Sequence, residues 1–367
     1  MSKVSQRMFQ LFAPTAARFL ALALVVVFSA GVAAAQAYVA DFSADAVRVI
    51  DPVTHTVTAT VPVGDNPVEV AVTPDGSFVY VSNNAADSVS VISTATNTVV
   101  ATVPVGPQPR GLAVTPDGAF VYVANNSADY VSVINTTSNM VVTTVTTGFG
   151  PSGVAITPDG AFAYVTSAAT STVSVIDTVT NMVIATVPVG SFPQGVAITP
   201  DGAFAYVAAF GADEVDVIST ASNMVVATIS GIPGAYRIAI TPNGASAYVT
   251  TSSFFVLNQV YVINIATNAI STTVPAQGAG VAVTPDGAFA WVSNEFTGTI
   301  TEIDTGTNMI TTTFPAGVGP GGLAFRPTPP PPQGPTSKEQ CKNGGWQTFT
   351  NPTFTNQGDC ISYVNHL

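Results

Sequence analysis

The chain has 367 residues, 47% of them hydrophobic and only 8% charged, with a formal net charge of −12, which excludes a charge-rich disordered protein. Between Tyr38 and Phe325 there is no lysine, and the only arginines are Arg48, Arg110 and Arg237. A phosphate backbone needs a basic footprint, so nucleic acid is excluded as a partner and an anionic membrane surface is disfavoured.

Residues 1–37 read as a signal peptide. Lys3, Arg7 and Arg18 supply a positive n-region, Phe19 to Val27 is an unbroken apolar run, and Ala33-Ala34-Ala35 and Ala35-Gln36-Ala37 both fit a small-x-small cleavage site. An uncleaved membrane anchor stands as the alternative. Removal would take away three basic residues and no acidic one, moving the net charge from −12 to −15. No later stretch is long and apolar enough to span a bilayer, so the expected location is periplasmic, cell-surface or extracellular.

Residues 38–326 are dominated by an internal repeat. Thr-Pro-Asp-Gly begins at Thr73, Thr115, Thr157, Thr199 and Thr284, with Thr-Pro-Asn-Gly at Thr241 and Arg326-Pro327 in the next slot, at spacings of 42, 42, 42, 42, 43 and 42. An aromatic residue followed by valine recurs in step at Tyr38, Tyr80, Tyr122, Tyr164, Tyr206, Tyr248 and Trp291. Each unit reads as four short strands. In the second they are Val68–Val72, Phe78–Ser82, Val89–Ile92 and Thr98–Val103, separated by a Pro-Asp-Gly turn, a polar loop and a Thr-Asn turn. Four strands per repeat of about 40 residues is the pattern of a propeller blade. The expected fold is all-β, a seven-bladed β-propeller. Its first unit starts at Tyr38, already in a second strand, and the missing first strand is found at the other end as Gly322–Phe325, so the C-terminal strand closes the ring. An unclosed ring would expose strand edges.

The innermost strand carries alanine two residues before each turn and glycine four before it in five of the seven units, as suits a crowded axis. Glu69 and Arg237 occupy the two remaining glycine slots. The segments "VAVTPDGAFVYVANN", "VSVIDT" and "NMVIATVPVG" resemble the YVTN family of bacterial and archaeal propeller repeats, from Tyr38 to about Phe325. The resemblance implies an extracellular or surface-layer protein. More distantly it points to seven-bladed lactonases and to haem- or quinone-associated propellers.

Residues 327–336 contain "PTPPPPQGP", a stiff Pro-rich linker. Residues 337–367 hold the only cysteines, Cys341 and Cys360. In an exported chain these are expected to form a disulfide tying off a small module, with two free thiols as the alternative. The segment resembles a short C-terminal module of bacterial secreted proteins.

In such a ring, the loops entering the inner strands and those between second and third strands share the face of the channel mouth. A charge near the crowded axis must be paired or wet, so Glu69 and Arg237 are candidate binding residues, with Arg110 as a candidate partner for Glu69 and Tyr236 beside them. A solvated structural ion pair, or two separate exposed charges, is the plain alternative. The loop "TTSSFFVLNQ" is three residues longer than its counterpart and would set Phe254 and Phe255 on the same face as an apolar contact site, or fold back over a blade. Asp- and Asn-rich loops could hold calcium but equally suit tight turns, and no other metal and no catalytic residue is assigned. His55 lies in a turn on the opposite face, so a histidine-based triad or zinc site has nothing to use at the mouth. Near-identical blades and a bland channel favour a binding or interaction scaffold for a protein, glycan or small molecule. The alternative is a lactonase-like hydrolase built on Glu69, Arg237 and Arg110.

Overall fold

The computed structural model of the protein describes residues 36–252, 259–327, 341–342, 356–358 and 360–361. The expected signal peptide, the Phe254–Phe255 loop, the linker beyond Pro327 and most of the tail lie outside the described residues. Seven sheets of four antiparallel strands form the ring. Blade 2 is representative, with strands Pro67–Val72, Phe78–Asn83, Ser88–Ser93 and Thr98–Pro104. Each chain segment turns back on itself through short loops, and each inner strand lies against the inner strands of its neighbours.

The repeated turn sequence explains the local geometry. In every Thr-Pro-Asp/Asn-Gly turn the glycine takes a positive φ of 69–75°, which costs a Cβ-bearing residue energy. In the turn between third and outer strands a single position is left-handed in all seven blades. It is asparagine at Asn97, Asn139, Asn181, Asn223, Asn268 and Asn308, and histidine at His55. Asparagine and histidine are among the few side-chain-bearing residues enriched in that conformation.

The second-strand tyrosines are fully buried between blades. Each hydroxyl reaches the left-handed asparagine of the next blade, from Tyr38–Asn97 at 3.2 Å to Tyr248–Asn308 at 2.6 Å. Burial pushes the hydroxyls of Tyr80, Tyr122, Tyr164, Tyr206 and Tyr248 up to about 12, so they remain donors throughout the physiological range. The recurrent phenylalanines two residues earlier are only half-buried or exposed. The gap between blades is thus filled by the tyrosines and by Val and Ile of the second and third strands.

Closure is as expected. Pro320–Phe325 pairs with Ala37–Asp41 in the first blade, with Leu323 opposite Val39 and Phe325 opposite Ala37. Arg326 N–H donates to the Gln36 carbonyl at 2.7 Å. The Asp41 carboxylate, fully buried, accepts the N–H groups of Val318 and Gly319 at 3.1 and 2.9 Å and pairs with Arg48 at 2.7 Å. Asp41 thus fastens the segment that leads into the closing strand.

The turn aspartates also have a defined role. The Thr115, Thr157, Thr199 and Thr284 hydroxyls and the backbone N–H two residues on hold the carboxyls of Asp117, Asp159, Asp201 and Asp286 below the usual carboxylate range. A depressed folded-state pKa contributes stability that is complete above the unfolded value of about 3.9 and is lost as pH falls through the folded value. The melting temperature is therefore expected to be flat down to about pH 5 and to fall below about pH 4. Asn243 makes the same two bonds, to Thr241 and Ala245, without a charge. Asp201→Asn should accordingly shallow the acid limb of a pH-dependent melting series. An unchanged limb would show that the turns do not carry the acid sensitivity.

Among the described residues no helix is long and apolar enough to cross a membrane. Cys341 and Cys360 form the expected disulfide, with Cα atoms 5.7 Å apart, as suits an oxidising, non-cytoplasmic environment.

Candidate functional site

The channel is built from the inner strands. Its glycine slots exist because neighbouring backbones touch there. A Cβ on Gly111 would stand 2.3 Å from the Ser152 carbonyl of the next blade, and one on Gly153 would stand 2.4 Å from that of Gln194. Glu69 and Arg237, in blades 2 and 6, break this rule and meet. Arg237 Nη1 lies 2.6 Å from Glu69 Oε2, and both side chains are 16% exposed. The Glu69 carboxylate also occupies the space that a Cβ on Gly322 would need. Burial works against the Arg237 charge, but the Glu69 carboxylate and the Tyr236 phenol oxygen outweigh it and hold the guanidinium above its ordinary range. The guanidinium carbon stands 5.4 Å from the centre of the Tyr236 ring.

Arg237 lines two spaces. One is a channel cavity of about 160 Å³ walled by the slot residues and the apolar residues after them. The other, of about 250 Å³, is at the mouth and is walled by Arg110, Tyr236, Phe42, Asn66, Asn84 and Glu295 above the small residues Ala279, Gly321 and Gly322. Burial raises the Glu295 carboxyl above the usual carboxylate range.

The mouth is not bland. The inner-strand residue just before the slot reads Val68, Arg110, Ser152, Gln194, Tyr236, Ala279 and Gly321 around the ring, a different residue in every blade. The backbone beneath four of these positions is held in the same way. Ser82, Thr166, Thr250 and Ser293 hydroxyls donate to the carbonyls of Arg110, Gln194, Ala279 and Gly321 at 2.5–2.9 Å. Side chains link as well. Gln194 Oε1 accepts from Arg110 Nη1 at 3.3 Å and from Ser152 Oγ at 2.9 Å, and Phe210 meets the Tyr236 ring edge-on at 6.4 Å. The expected partnership of Arg110 with Glu69 is not what forms. Arg110 turns to the neutral Gln194 amide two blades on, because Glu69 is taken by Arg237.

Several Asp and Asn side chains of the Asp- and Asn-rich loops are structural. Asn83 and Asn125 are buried, each donating to the serine two residues into the next strand's face, Ser90 and Ser132. The Asp45, Asp87 and Asp213 carboxylates accept backbone N–H groups of the adjoining loop. Among the described residues no group of three or more His, Cys, Asp or Glu side chains is placed to share a metal ion.

His55, expected only as a far-face turn residue, proves to be part of the seventh blade junction. There the buried Trp291 takes the place of tyrosine and His55 that of asparagine, and Glu302 stands where the other six blades have valine. Glu302 Oε2 accepts from Trp291 Nε1 at 2.9 Å and lies 3.1 Å from His55 Nε2, while Oε1 accepts from Thr311 at 2.6 Å. Glu302 was missed in the sequence, although a glutamate in a column of valines is a visible signal.

Fold and site together define a seven-bladed β-propeller with a diversified channel mouth. The chain belongs to the YNCE-like β-propeller family, whose model matches residues 11–325, and the YVTN repeat is a related propeller family. No curated protein matches the chain. Among solved structures it is similar to Kuenenia stuttgartiensis hydrazine synthase, at 26% identity over 69% of this chain and 87% of that one, with a TM-score of 0.63. It is also similar to a functionally unknown protein from Desulfotomaculum acetoxidans, at 17% identity over 80% and 99% with a TM-score of 0.69. A third is the dihydro-heme d1 dehydrogenase NirN, at 16% identity over 79% and 74% with a TM-score of 0.62. The last two show the fold alone.

Proposed function

We propose that the protein is an exported propeller that binds a small molecule or glycan end at its channel mouth, in the periplasm, at the cell surface or outside the cell. One observation carries this reading. The blades repeat closely in their cores and turns, yet the inner-strand position just before the slot, which supplies five residues to the mouth cavity, differs in all seven. Packing alone would tolerate small residues there throughout, as in the three blades that have Gly, Ala or Val. Ligand sites are concave, with a few convergent polar groups beside aromatic walls, which describes the space between Arg110 and Tyr236.

Thermal-shift screening of sugars, amino acids and lactones tests it. A ligand at a hundredfold excess over its Kd should stabilise the protein by about 2.7 kcal/mol, and Tyr236→Ser should abolish the shift. A broad panel without any shift would overturn the reading. A lactonase-like hydrolase is the second reading, and the Glu69–Arg237 pair is the observation that favours it, since it brings a carboxylate to the channel. That carboxylate is bound to a guanidinium, which disfavours its acting as a general base. Turnover of a lactone that disappears in Glu69→Gln would establish the hydrolase instead.

A further inference from the structure

We infer that the mouth selects a sugar acid, a ligand with one carboxylate and several hydroxyls, whose carboxylate is bound by Arg110. This rests on the mouth being the ligand site and adds the chemistry of what enters it.

The argument starts from the pairing of the propeller's arginines. Arg48 is neutralised by Asp41 and Arg237 by Glu69, both through close ion pairs. Arg326 donates from Nε to the Gly76 carbonyl, far from the mouth. Arg110 has a neutral amide as its hydrogen-bond acceptor, at 3.3 Å, and among the described residues no carboxylate pairs with it. It is half-buried and its backbone is pinned by Ser82 at 2.6 Å. Blade 3 thus presents a positioned, uncompensated guanidinium to a cavity in a protein of net charge −12. A planar guanidinium fork matches a carboxylate. A doubly charged phosphate would face one cation without a carboxylate partner and the Glu295 carboxyl in the same wall, Arg237 being paired with Glu69, so a monoanion fits better.

The remaining walls specify the rest of the ligand. The Asn66 and Asn84 side chains and the Glu295 carboxyl bring hydrogen-bonding groups to the cavity, and the Tyr236 and Phe42 rings bring apolar surface. Hydroxyls on a ring with one C–H face meet both demands. A volume of about 250 Å³ is below the roughly 300 Å³ at which drug-sized pockets begin, so one ring fills it.

Calorimetric titration of the purified protein with D-glucuronate, D-glucose and an oligoglucuronide tests the inference. Glucuronate should bind at least about tenfold more tightly than glucose. Arg110→Gln should weaken glucuronate by about tenfold to a hundredfold, the range of a charged hydrogen bond, and leave glucose unchanged. Arg110→Lys, which keeps the charge and loses the fork, should fall between. An oligoglucuronide that binds more tightly than the monosaccharide identifies the source as a polymer end, and one that binds no better identifies a free sugar acid. Equal affinity for the two sugars, or an Arg110→Gln variant that folds and binds glucuronate normally, overturns the inference and leaves the mouth reading standing. Absence of binding to either sugar, with another compound bound in a Tyr236-dependent way, overturns the inference alone.

Discussion

Deletion of Gly322–Phe325 is expected to abolish cooperative folding. The closing strand contributes Leu323 and Phe325, which are 5% and 9% exposed, to the cluster that also holds Ala37, Val39 and Trp291. Truncating one buried Leu or Phe to alanine costs about 2–5 kcal/mol, and a domain's whole stability is about 5–15 kcal/mol. Losing both side chains, together with the backbone pairing to Ala37–Asp41, therefore removes an amount comparable to the total. It also leaves an unpaired edge on a fully buried strand. Circular dichroism during thermal unfolding checks this, with Leu323→Ala as the milder variant at about 2–5 kcal/mol. A deletion that melts at the wild-type temperature would show that six and three-quarter blades are self-sufficient and that the ring is held elsewhere.

The second large effect is expected at the same junction. Glu302→Val restores the residue of the other six blades at that position, yet it should destabilise by about 1–3 kcal/mol, the cost of leaving a buried donor without an acceptor. The reason is Trp291, which is fully buried and donates to Glu302 at 2.9 Å. Three substitutions act in concert here, since Trp291, His55 and Glu302 replace the tyrosine, asparagine and valine found at the other junctions. His55 stacks on Phe314 at 4.6 Å, and Trp291 meets Phe314 and Phe325 edge-on at 5.0 and 4.9 Å. The triple variant Trp291→Tyr, His55→Asn, Glu302→Val regains the common hydroxyl-to-amide bond. It should be less destabilised than the sum of its single variants, by the 0.5–3 kcal/mol typical of side chains in one network. Urea unfolding of the set measures this. Strict additivity would mean that the three residues act separately and that the junction is not a unit.

Both expectations concern one seam, and the sequence marked only half of it. The displaced first strand was legible because a repeat counted in units of 42 residues shows what is missing at one end and surplus at the other. The chemistry of the seam was not, because each of its three residues is unremarkable alone: a histidine in a turn, a tryptophan in an aromatic column, a glutamate in a strand. Only alignment of equivalent positions across blades, followed by their placement within hydrogen-bond reach, turns them into a network.

The site divides in the same way. Glu69 and Arg237 were legible as exceptions in a column of glycines, since a charge at a crowded axis demands a partner. That they pair with each other rather than with Arg110 was decided by the curvature of the ring, which sets blades 2 and 6 across the channel from one another. Arg110 is consequently left to Gln194 and to the cavity. The seven different residues of the mouth were all readable, but their significance was not, because strand period and turn position do not say which face of an inner strand looks into the channel and which is covered by the next blade.

The sequence by itself determined the elements, the number of blades and the closing strand. Those features follow from local rules, namely side-chain alternation, turn chemistry at Pro-Asp-Gly and Thr-Asn, and a period long enough for four strands. Tertiary structure decided which charges meet, which aspartates fasten loops and where the Arg110 guanidinium points. The decisive distances are set by the ring, which brings blades 2 and 6, blades 3 and 5, and the loops of neighbouring blades within reach, and no stretch of chain encodes them.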